Sequence, residues 1–200
     1  MPIIVDKNKK RRDILQAAMQ VFARDGYHRA KIESVAEEAG IGKGTVYEYF
    51  KSKAELFLAL HEHMLTELKG FYLKELAEIH EPKLMLQRFI EVAFQTFRAW
   101  EPFFFVFFDF WAEGGRAEQE ALLRTQMRQA YVDARRDIAA IVTAGIQDGS
   151  FRSVDPNLTA ARIIASLDGL VLQWLCDRNA FDLDLMGKSL VESTVRSLQP

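Results

Sequence analysis

Cysteine is almost absent from this sequence, which has Cys176 alone among its 200 residues. A single cysteine excludes an internal disulfide framework and favours a reducing, cytoplasmic setting. Long apolar runs are missing too, and we find no stretch close to the roughly 20 residues that cross a bilayer. The N-terminus, MPIIVDKNKKRR, has only a short apolar run before its charges, so we do not expect a signal peptide. We therefore expect a cytoplasmic protein without a membrane partner.

Strand-like alternation is also scarce, and apolar residues recur every three or four positions instead. The apolar fraction of 49% is enough for a core. Three prolines follow an acidic residue, a pattern typical of helix starts, at Glu81–Pro82, Glu101–Pro102 and Asp155–Pro156. Glycines mark helix ends at Gly26, Gly40, Gly114, Gly115 and Gly149. These signals predict an all-α fold of about nine helices, at 8–25, 32–39, 43–50, 52–79, 82–100, 102–113, 118–148, 156–177 and 183–198.

The net charge of −2 is unevenly distributed along the chain. Residues 1–53 carry 11 Lys and Arg against 7 Asp and Glu, a net charge of +4. Residues 54–200 carry 15 against 21, a net charge of −6. A basic head on an acidic body is typical of a head that meets nucleic acid or another anion. Since a chance distribution of solvated charges would look the same, charge alone does not decide.

The stretch IESVAEEAGIGKGTVYEYFKSKAEL, residues 32–56, has the layout of a helix-turn-helix. Val35 and Ala36 give a short helix one apolar face, and Gly40 permits the left-handed backbone of a turn. Val46 and Phe50, four residues apart, give a second short helix its own apolar face. The opposite face of that helix presents Lys43, Thr45, Tyr47, Glu48 and Tyr49. A helix of this kind is placed to enter the major groove of DNA.

Ser52 and Glu55 predict a capping box at the start of the next helix. Lys53 in the first turn of that helix is unfavourable for the helix dipole, which prefers anions there. A docked phosphate, held by free N–H groups and by Lys53, would explain the residue. The alternative is a surface lysine without a role.

Residues 9–56 resemble the DNA-binding head of TetR-type transcriptional regulators. The resemblance rests on Ala17, Phe22, Gly26, Val35, Ala36, Ala39, Gly40, Gly44, Thr45, Tyr47, Tyr49, Phe50, Lys53 and Leu56. It implies a helix-turn-helix DNA-binding domain over residues 1–53. It also implies a larger helical ligand-binding and dimerisation domain over residues 54–200.

The sequence departs from the family pattern at a few positions. Ala30 and Lys31 stand where hydroxyl residues are common, and Gly42 stands at a common serine cap position, where glycine caps nearly as well. The carboxylate of Glu48 is unusual on a helix that is expected to lie beside the phosphates of DNA. It could accept from a cytosine amino group, but we expect it to pair with Lys51 or Lys43.

The resemblance and the chemistry of the side chains together assign roles in DNA binding. We expect Lys43, Gly44 and Thr45, at the start of the recognition helix, to approach base edges. We expect phosphate contacts from Lys31, Tyr47, Tyr49, Lys53, Lys10 and Arg11, with further attraction from Lys9 and Arg12.

The last two predicted helices are apolar on more than one side. Ala161, Ala165 and Gly169 form a ridge of small residues every four positions, which permits close helix approach. The ridge fits either an ordinary intramolecular core or a subunit interface. The TetR-type resemblance implies a homodimer through these helices, with interface residues Ala161, Ile164, Ala165, Leu167, Gly169, Val171, Val191 and Val195.

The stretch EPFFFVFFDFW, residues 101–111, has seven aromatic side chains, so a helix here is apolar nearly all round and is expected inside the body. A core helix explains most of these rings, but the resemblance also implies an internal ligand cavity. We expect its lining to include Phe89, Ala93, Phe97, Phe104, Phe108, Trp111, Met127 and Tyr131. The polar selectors could be Gln126, Arg128, Asp168 or Gln173.

The resemblance further implies a repressor released from a palindromic operator by a small hydrophobic or amphipathic ligand, with helix 52–79 as the connection between head and body. The stretches GYHRAKIESVAEEAG, GTVYEYFKSKAEL, GIQDGSFR and DRNAFDL are similar to repressors of fatty-acid degradation, which respond to long-chain acyl-CoA. A regulator that responds to drugs or other hydrophobic compounds fits equally well.

Two other classes are weaker. An enzyme lacks support because GIGKGT is too short for a phosphate-binding loop and no serine has a nucleophile-elbow setting. A helical binding protein without a DNA role would leave the basic head unexplained. We expect no cofactor and no metal, since the histidines look like exposed polar residues, and we expect Cys176 in a core or an interface.

Overall fold

The chain is helical throughout the part that the structure describes. This computed structural model describes residues 6–112 and 117–200, apart from the side chains at 108, 109, 111, 112 and 117–120. Within that part there are nine helices and no strands. They are α1 (Lys7–Arg29), α2 (Ile32–Glu38), α3 (Lys43–Tyr49), α4 (Lys53–Leu76), α5 (Pro82–Ala99), α6 (Glu101–Ala112), α7 (Ala117–Gln147), α8 (Pro156–Cys176) and α9 (Leu183–Leu198).

The predicted helix starts are confirmed at most caps. The Asp155 carboxylate accepts from the N–H groups of Asn157 (2.8 Å) and Leu158 (3.0 Å), with Pro156 as the first helical residue. The Asp182 carboxylate caps α9 in the same way. Glu101 differs, because it is the first residue of α6 and not a residue before it.

The predicted helix ends follow the glycines in the described residues. Gly26, Gly40 and Gly149 have φ angles of 74°, 63° and 80°, which side chains rarely tolerate. Gly26 interrupts α1 where the sequence predicts a helix end, because its backbone is non-helical (φ 74°, ψ 163°), and helical geometry resumes beyond this kink as far as Arg29. The predicted end at Gly114 and Gly115 lies outside the described residues.

The helices form two compact units. Unit 1 comprises Met1–Glu67 and Trp100–Met127, and unit 2 comprises Leu68–Ala99 and Arg128–Pro200. Helices α4 and α7 therefore contribute residues to both units.

The aromatic helix α6 belongs to unit 1, where it packs against α1. The ring of Phe57, which is fully buried, stacks on Phe103 at 5.5 Å and on Phe110 at 4.3 Å between centroids. Phe110 also meets Tyr27 edge-on at 4.8 Å. The expectation that this helix is enclosed in the body is therefore wrong. One face of α6 completes the core of the helix-turn-helix unit, and Phe105 is 43% exposed.

In unit 2, α9 packs against α5 and α8. Helices α5 and α9 approach closely at Gly187, where a Cβ would lie 3.0 Å from the Phe94 ring. The loop after α7 folds back on that helix at Gly145, where a Cβ would lie only 2.2 Å from the Phe151 ring. The residues that surround these positions are buried, so unit 2 has a core of its own.

Helix α8 contradicts the expectation that no stretch of the sequence approaches the length and apolarity needed to cross a bilayer. By length and composition it would suffice to cross a membrane, with a mean hydropathy of 1.3 over its most apolar window. Core helices of soluble proteins pass the same test. Here Ile163, Leu167 and Val171 of this helix are buried within unit 2, so part of its apolar surface already has a protein neighbour.

Candidate nucleic-acid interface

Helices α2 and α3 are joined by a tight turn. The N–H of Ile41 donates to the carbonyl of Ala36 at 2.9 Å, and Gly40 takes the left-handed conformation. Val46 of α3 is fully buried, and Phe50 just after the helix is 1% exposed. These two side chains fix α3 on the core, so its opposite face is presented to solvent.

The start of α3 carries the three predicted base-reading residues. Lys43 and Gly44 are exposed and Thr45 is half-buried. Gly44 has open space around the position of a Cβ, with no atom within 4 Å. A base edge could therefore approach the backbone of this turn closely.

The predicted phosphate-binding residues all lie in unit 1 but differ in their exposure and contacts. Lys31 and Tyr47 are exposed, Lys10 is half-buried, and Tyr49 is half-buried against the core of unit 1. The guanidinium of Arg11 lies 5.3 Å from the centre of the Phe50 ring, on the same unit. These basic and hydroxyl groups have the chemistry of a sequence-independent DNA contact.

Lys53 has an additional role in the fold. Its ammonium donates to the carbonyl oxygens of Tyr27 at 2.8 Å and His28 at 3.0 Å, and lies 4.5 Å from the centre of the Tyr27 ring. These carbonyls belong to the last turn of α1, which a positive charge stabilises. The alternative of a lysine without a role is therefore excluded, while its predicted phosphate contact is not tested.

The predicted capping box is present in a modified form. The N–H of Glu55 donates to the Ser52 hydroxyl at 3.0 Å. The Glu55 carboxylate accepts from the N–H of Lys51 at 2.7 Å, one residue before the cap residue. The start of α4 is thus fixed directly after α3.

The expected partners of Glu48 are occupied elsewhere. Lys43 forms an ion pair with Glu33 of α2, and the Lys51 ammonium donates to the Tyr47 carbonyl at 3.2 Å. The prediction that one of these lysines pairs with Glu48 is wrong. No local pattern in the sequence indicates the pair between Lys43 and Glu33, because the two residues belong to different helices.

A buried polar pair lies inside unit 1. The Nδ1 atom of His61, whose side chain is 8% exposed, lies 2.8 Å from the Gln126 Oε1 atom. Gln126 donates its Nε2–H to the Leu58 carbonyl at 3.5 Å, so its oxygen faces the imidazole, which donates from Nδ1. Burial lowers the pKa of His61 below its usual 6.5. The expectation of an exposed His61 is wrong, and its place on the apolar face with Phe57 and Met64 was the available signal.

A second polar pair lies in unit 2, between α7 and α8. The Tyr131 hydroxyl and the Asp168 carboxylate lie close enough to influence each other's pKa. Burial raises the pKa of Asp168 and, together with the charge of that carboxylate, raises the pKa of Tyr131 to about 12. Asp168 is thus a partly buried carboxylate in unit 2, and it is one of the polar residues that the sequence analysis names as able to select a ligand.

The predicted ligand-lining residues divide between the two units. In unit 2, Phe89 and Ala93 are buried, with Phe89 stacked on Tyr72 at 4.5 Å, and Phe97 and Tyr131 are half-buried. In unit 1, Phe104 and Met127 are half-buried, while the side chains of Phe108 and Trp111 lie outside the described residues. A groove of about 350 Å³ in unit 2, lined by α5 and α9, contains none of the eight.

The comparisons with known proteins cover nearly the whole chain. Residues 14–60 match the family model for bacterial regulatory proteins of the tetR family. Residues 82–200 match the model for the C-terminal domain of BetI-type transcriptional repressors. The second match alone covers more than half of the sequence. The chain belongs to the TetR family.

Individual relatives of this TetR-family chain are distant but full-length. The fatty acid metabolism regulator protein of Bacillus subtilis is 24% identical over 96% of this chain and 97% of its own. A transcriptional regulator from Saccharomonospora viridis, solved with choline, is 25% identical over 97% of this chain and 100% of its own, with a TM-score of 0.81. The regulator FadR from Bacillus subtilis, solved with stearoyl-CoA, is 23% identical over 94% and 99%, with a TM-score of 0.76.

Membership of the TetR family makes this chain a DNA-binding transcriptional regulator, and its helix-turn-helix is the family's DNA-binding element. Its homologues are regulators and not enzymes.

The predicted interface residues of this TetR-family chain fall into two groups. Ala161 and Ala165 are exposed and Gly169 is half-buried, on the side of α8 that also exposes Leu158 and Leu172. The others are buried within the single chain, namely Ile164, Leu167, Val171, Val191 and Val195. The second group is buried in the core of unit 2, so no second chain is needed to explain its burial. Cys176 is exposed, so the expectation of a core position is wrong.

Proposed function

We propose that this regulator is a repressor that binds a palindromic operator as a homodimer and releases it when an effector binds. DNA binding belongs to residues 1–53, and effector binding and dimerisation belong to residues 54–200. The observation that carries the proposal is the outward-facing start of α3, where Lys43 and Gly44 are exposed. Two such helices on a two-fold axis would read half-sites about one helical turn or more apart. The place of action is the chromosome in the cytoplasm.

Within this proposal Lys43, Gly44 and Thr45 read base edges. Lys31, Tyr47, Tyr49, Lys10 and Arg11 hold phosphates. Lys53 fixes the end of α1 to the start of α4 through the Tyr27 and His28 carbonyls. Its phosphate contact would use the remaining donor of the ammonium, since an ammonium has three.

The proposed dimer uses the small-residue side of α8. Ala161, Ala165 and Gly169 leave room for a second helix, and Leu158 and Leu172 beside them are 66% and 50% exposed. Burial of exposed leucines in a partner surface is favourable at about 25 cal/mol per Å².

The proposed effector is an amphipathic molecule with a long acyl chain, of the acyl-CoA class. The full-length likeness to a fatty acid metabolism regulator supports it. The candidate lining residues Phe89 and Phe97 of unit 2 suit an acyl chain, because burial of such a chain is driven by the apolar area removed from water. Release requires that the effector favour a state with lower DNA affinity, and couplings of this kind are typically about 1–3 kcal/mol.

An organic cation is the second candidate effector. Asp168 supplies a partly buried carboxylate beside Tyr131, and a quaternary ammonium is attracted by such a charge and by aromatic faces. A relative of similar fold is solved with choline.

The DNA-binding proposal is tested with an operator selected from a random-sequence pool by the wild-type protein. Fluorescence anisotropy should show tight binding of this duplex, weaker binding of its scrambled form and a strong decrease in affinity with salt. Lys43→Ala should lower discrimination at a defined base pair by about 1–3 kcal/mol. Equal affinity for both duplexes would contradict sequence recognition by this head.

The effector proposal is tested by release of the bound duplex. Stearoyl-CoA should release it at concentrations where coenzyme A and stearate alone do not. Choline, with and without Asp168→Asn, tests the second candidate, since only an effector bound through the carboxylate loses its effect in that variant. If neither compound changes the anisotropy, both effector classes are wrong while the DNA-binding proposal stands.

A further inference from the structure

The recognition helix holds its predicted base-reading lysine in an internal ion pair. Lys43, at the first position of α3, pairs with Glu33, at the second position of α2. The same ammonium lies 5.7 Å from the centre of the Tyr47 ring. The lysine therefore has two partners on the protein surface before any DNA is present.

Both members of the ion pair are on the solvent side of the helix-turn-helix. The side chains of Lys43 and Glu33 are 49% and 52% exposed. The hydrogen bond between the two side chains, together with the attraction of their charges, lowers the pKa of the Glu33 carboxyl and raises the pKa of the Lys43 ammonium. Glu33 is thus a fixed negative charge beside the group that is expected to meet the bases.

We infer that Glu33 is a specificity-determining residue, which competes with DNA for Lys43 and so suppresses binding to the wrong sequences. The inference rests on the proposal that Lys43 reads a base. A phosphate must displace a carboxylate to engage Lys43 and gains little, because one singly charged acceptor replaces another. A guanine edge in register offers two acceptors to the ammonium and compensates for the loss of Glu33.

Glu33 also weakens the general electrostatic attraction between the helix-turn-helix and DNA. A carboxylate close to the DNA backbone repels phosphates, whatever the base sequence, and its removal frees Lys43 as an additional phosphate contact. Each phosphate neutralised adds about 0.9 to the dependence of log affinity on log salt concentration. The loss of Glu33 should therefore strengthen scrambled duplex binding more than operator binding.

The test compares Glu33→Gln with Glu37→Gln, measured by anisotropy on the selected operator and its scrambled form. Glu37 is exposed on the same helix, so the control removes the same charge without touching Lys43. Exposed ion pairs contribute little, so Glu33→Gln should reduce the ratio of specific to scrambled affinity by about twofold to fivefold. The affinity of the Glu33→Gln variant for the scrambled duplex should also fall more steeply with salt, by about the 0.9 in the slope of log affinity against log salt concentration that one more phosphate contact adds. Glu37→Gln should leave the ratio unchanged.

A double-mutant cycle shows whether Glu33 acts through Lys43. In a Lys43→Ala background, Glu33→Gln should no longer change the ratio, because the group that it restrains is gone. Equal effects of Glu33→Gln in both backgrounds, or equal effects of the Glu33 and Glu37 variants, would overturn the inference. If Lys43→Ala itself leaves operator affinity and preference unchanged, the assignment of Lys43 as a base reader fails instead. Melting curves of all variants establish that they are folded.

Discussion

At the scale of single residues, the proposed roles on α3 distinguish side chains that read bases from side chains that hold phosphates. Tyr47 is 38% exposed, and its ring supports the Lys43 ammonium. A tyrosine hydroxyl can donate to a phosphate oxygen of any nucleotide, so the proposed contact of Tyr47 would position the protein without reading sequence.

Tyr47→Phe should weaken binding to all duplexes alike, by about tenfold, because a hydrogen bond to a charged group is lost. Anisotropy titrations with the operator, single-base variants of it and the scrambled duplex measure the effect. A loss confined to one base pair would mean that this hydroxyl contacts a base.

His61 makes the stability of unit 1 depend on pH. Folding lowers the pKa of His61 below 6.5, so the unfolded chain binds the proton more tightly than the folded one. The contribution of His61 to the free energy of unfolding is complete above pH 6.5 and is lost as the pH falls through the lowered pKa.

His61→Gln should therefore reduce the fall in melting temperature between about pH 7.5 and pH 5.5. The exposed His80, replaced in the same way, is the control and should keep the wild-type pH dependence. The same pH dependence in wild type and in His61→Gln would show that this imidazole is not buried in solution.

At the scale of helices, α6 is the aromatic element that joins the core of the DNA-binding unit. Phe110 is 2% exposed and contacts Tyr27 and Phe57, whereas Phe105 on the same helix is 43% exposed. The two positions provide a matched pair, with the same side chain in two environments.

Phe110→Ala should lower the free energy of unfolding by about 3–5 kcal/mol. Phe105→Ala should change it by about 0.5 kcal/mol or less, as surface substitutions usually do. Urea titrations followed by circular dichroism measure both. Similar losses for the two variants would contradict the assignment of the buried face of α6.

The helices also show which features can be read from sequence. Caps and turns are local, so Asp155, Asp182 and Gly40 were identified correctly from their immediate neighbours. The face of α6 that packs on α1 depends on contacts between residues about 80 positions apart, which spacing within one helix does not encode. The burial of His61 has the same origin, because its partner Gln126 is on another helix.

The candidate site likewise combines local features that the sequence predicts with contacts between helices that it does not predict. The exposed start of α3 followed from a local pattern of apolar and polar residues. The ion pair between Glu33 and Lys43 and the bond from Lys53 to the end of α1 did not, because each joins different helices. Charged side chains at such positions have many possible partners in the sequence, and only the fold selects one.

At the scale of the whole molecule, the proposed two-fold assembly depends on the outer side of α8. Gly169 has no atom within 4 Å of the position of a Cβ in the single chain. A Cβ there would meet no neighbour in the single chain. In the proposed dimer, a larger side chain at this position would meet a second α8.

Gly169→Leu should therefore preserve or raise the stability of the single chain, since leucine is a better helix former than glycine by roughly 0.5–1 kcal/mol. It should at the same time weaken dimerisation and operator binding. Sedimentation velocity over a concentration series measures the assembly, with Gly70→Leu in the equally open site of α4 as the control. A wild-type dimer that is unaffected by Gly169→Leu would place the interface elsewhere.

Cys176 gives this chain a chemical handle. It is the single cysteine of the sequence, and it is exposed at the end of α8. A maleimide dye can therefore label the native protein at one defined atom, without prior removal of other thiols. Trp174, two residues away, would transfer excitation energy to a suitable dye. Protection of Cys176 from the reagent as protein concentration rises would reveal association at this end of α8 in unmodified protein.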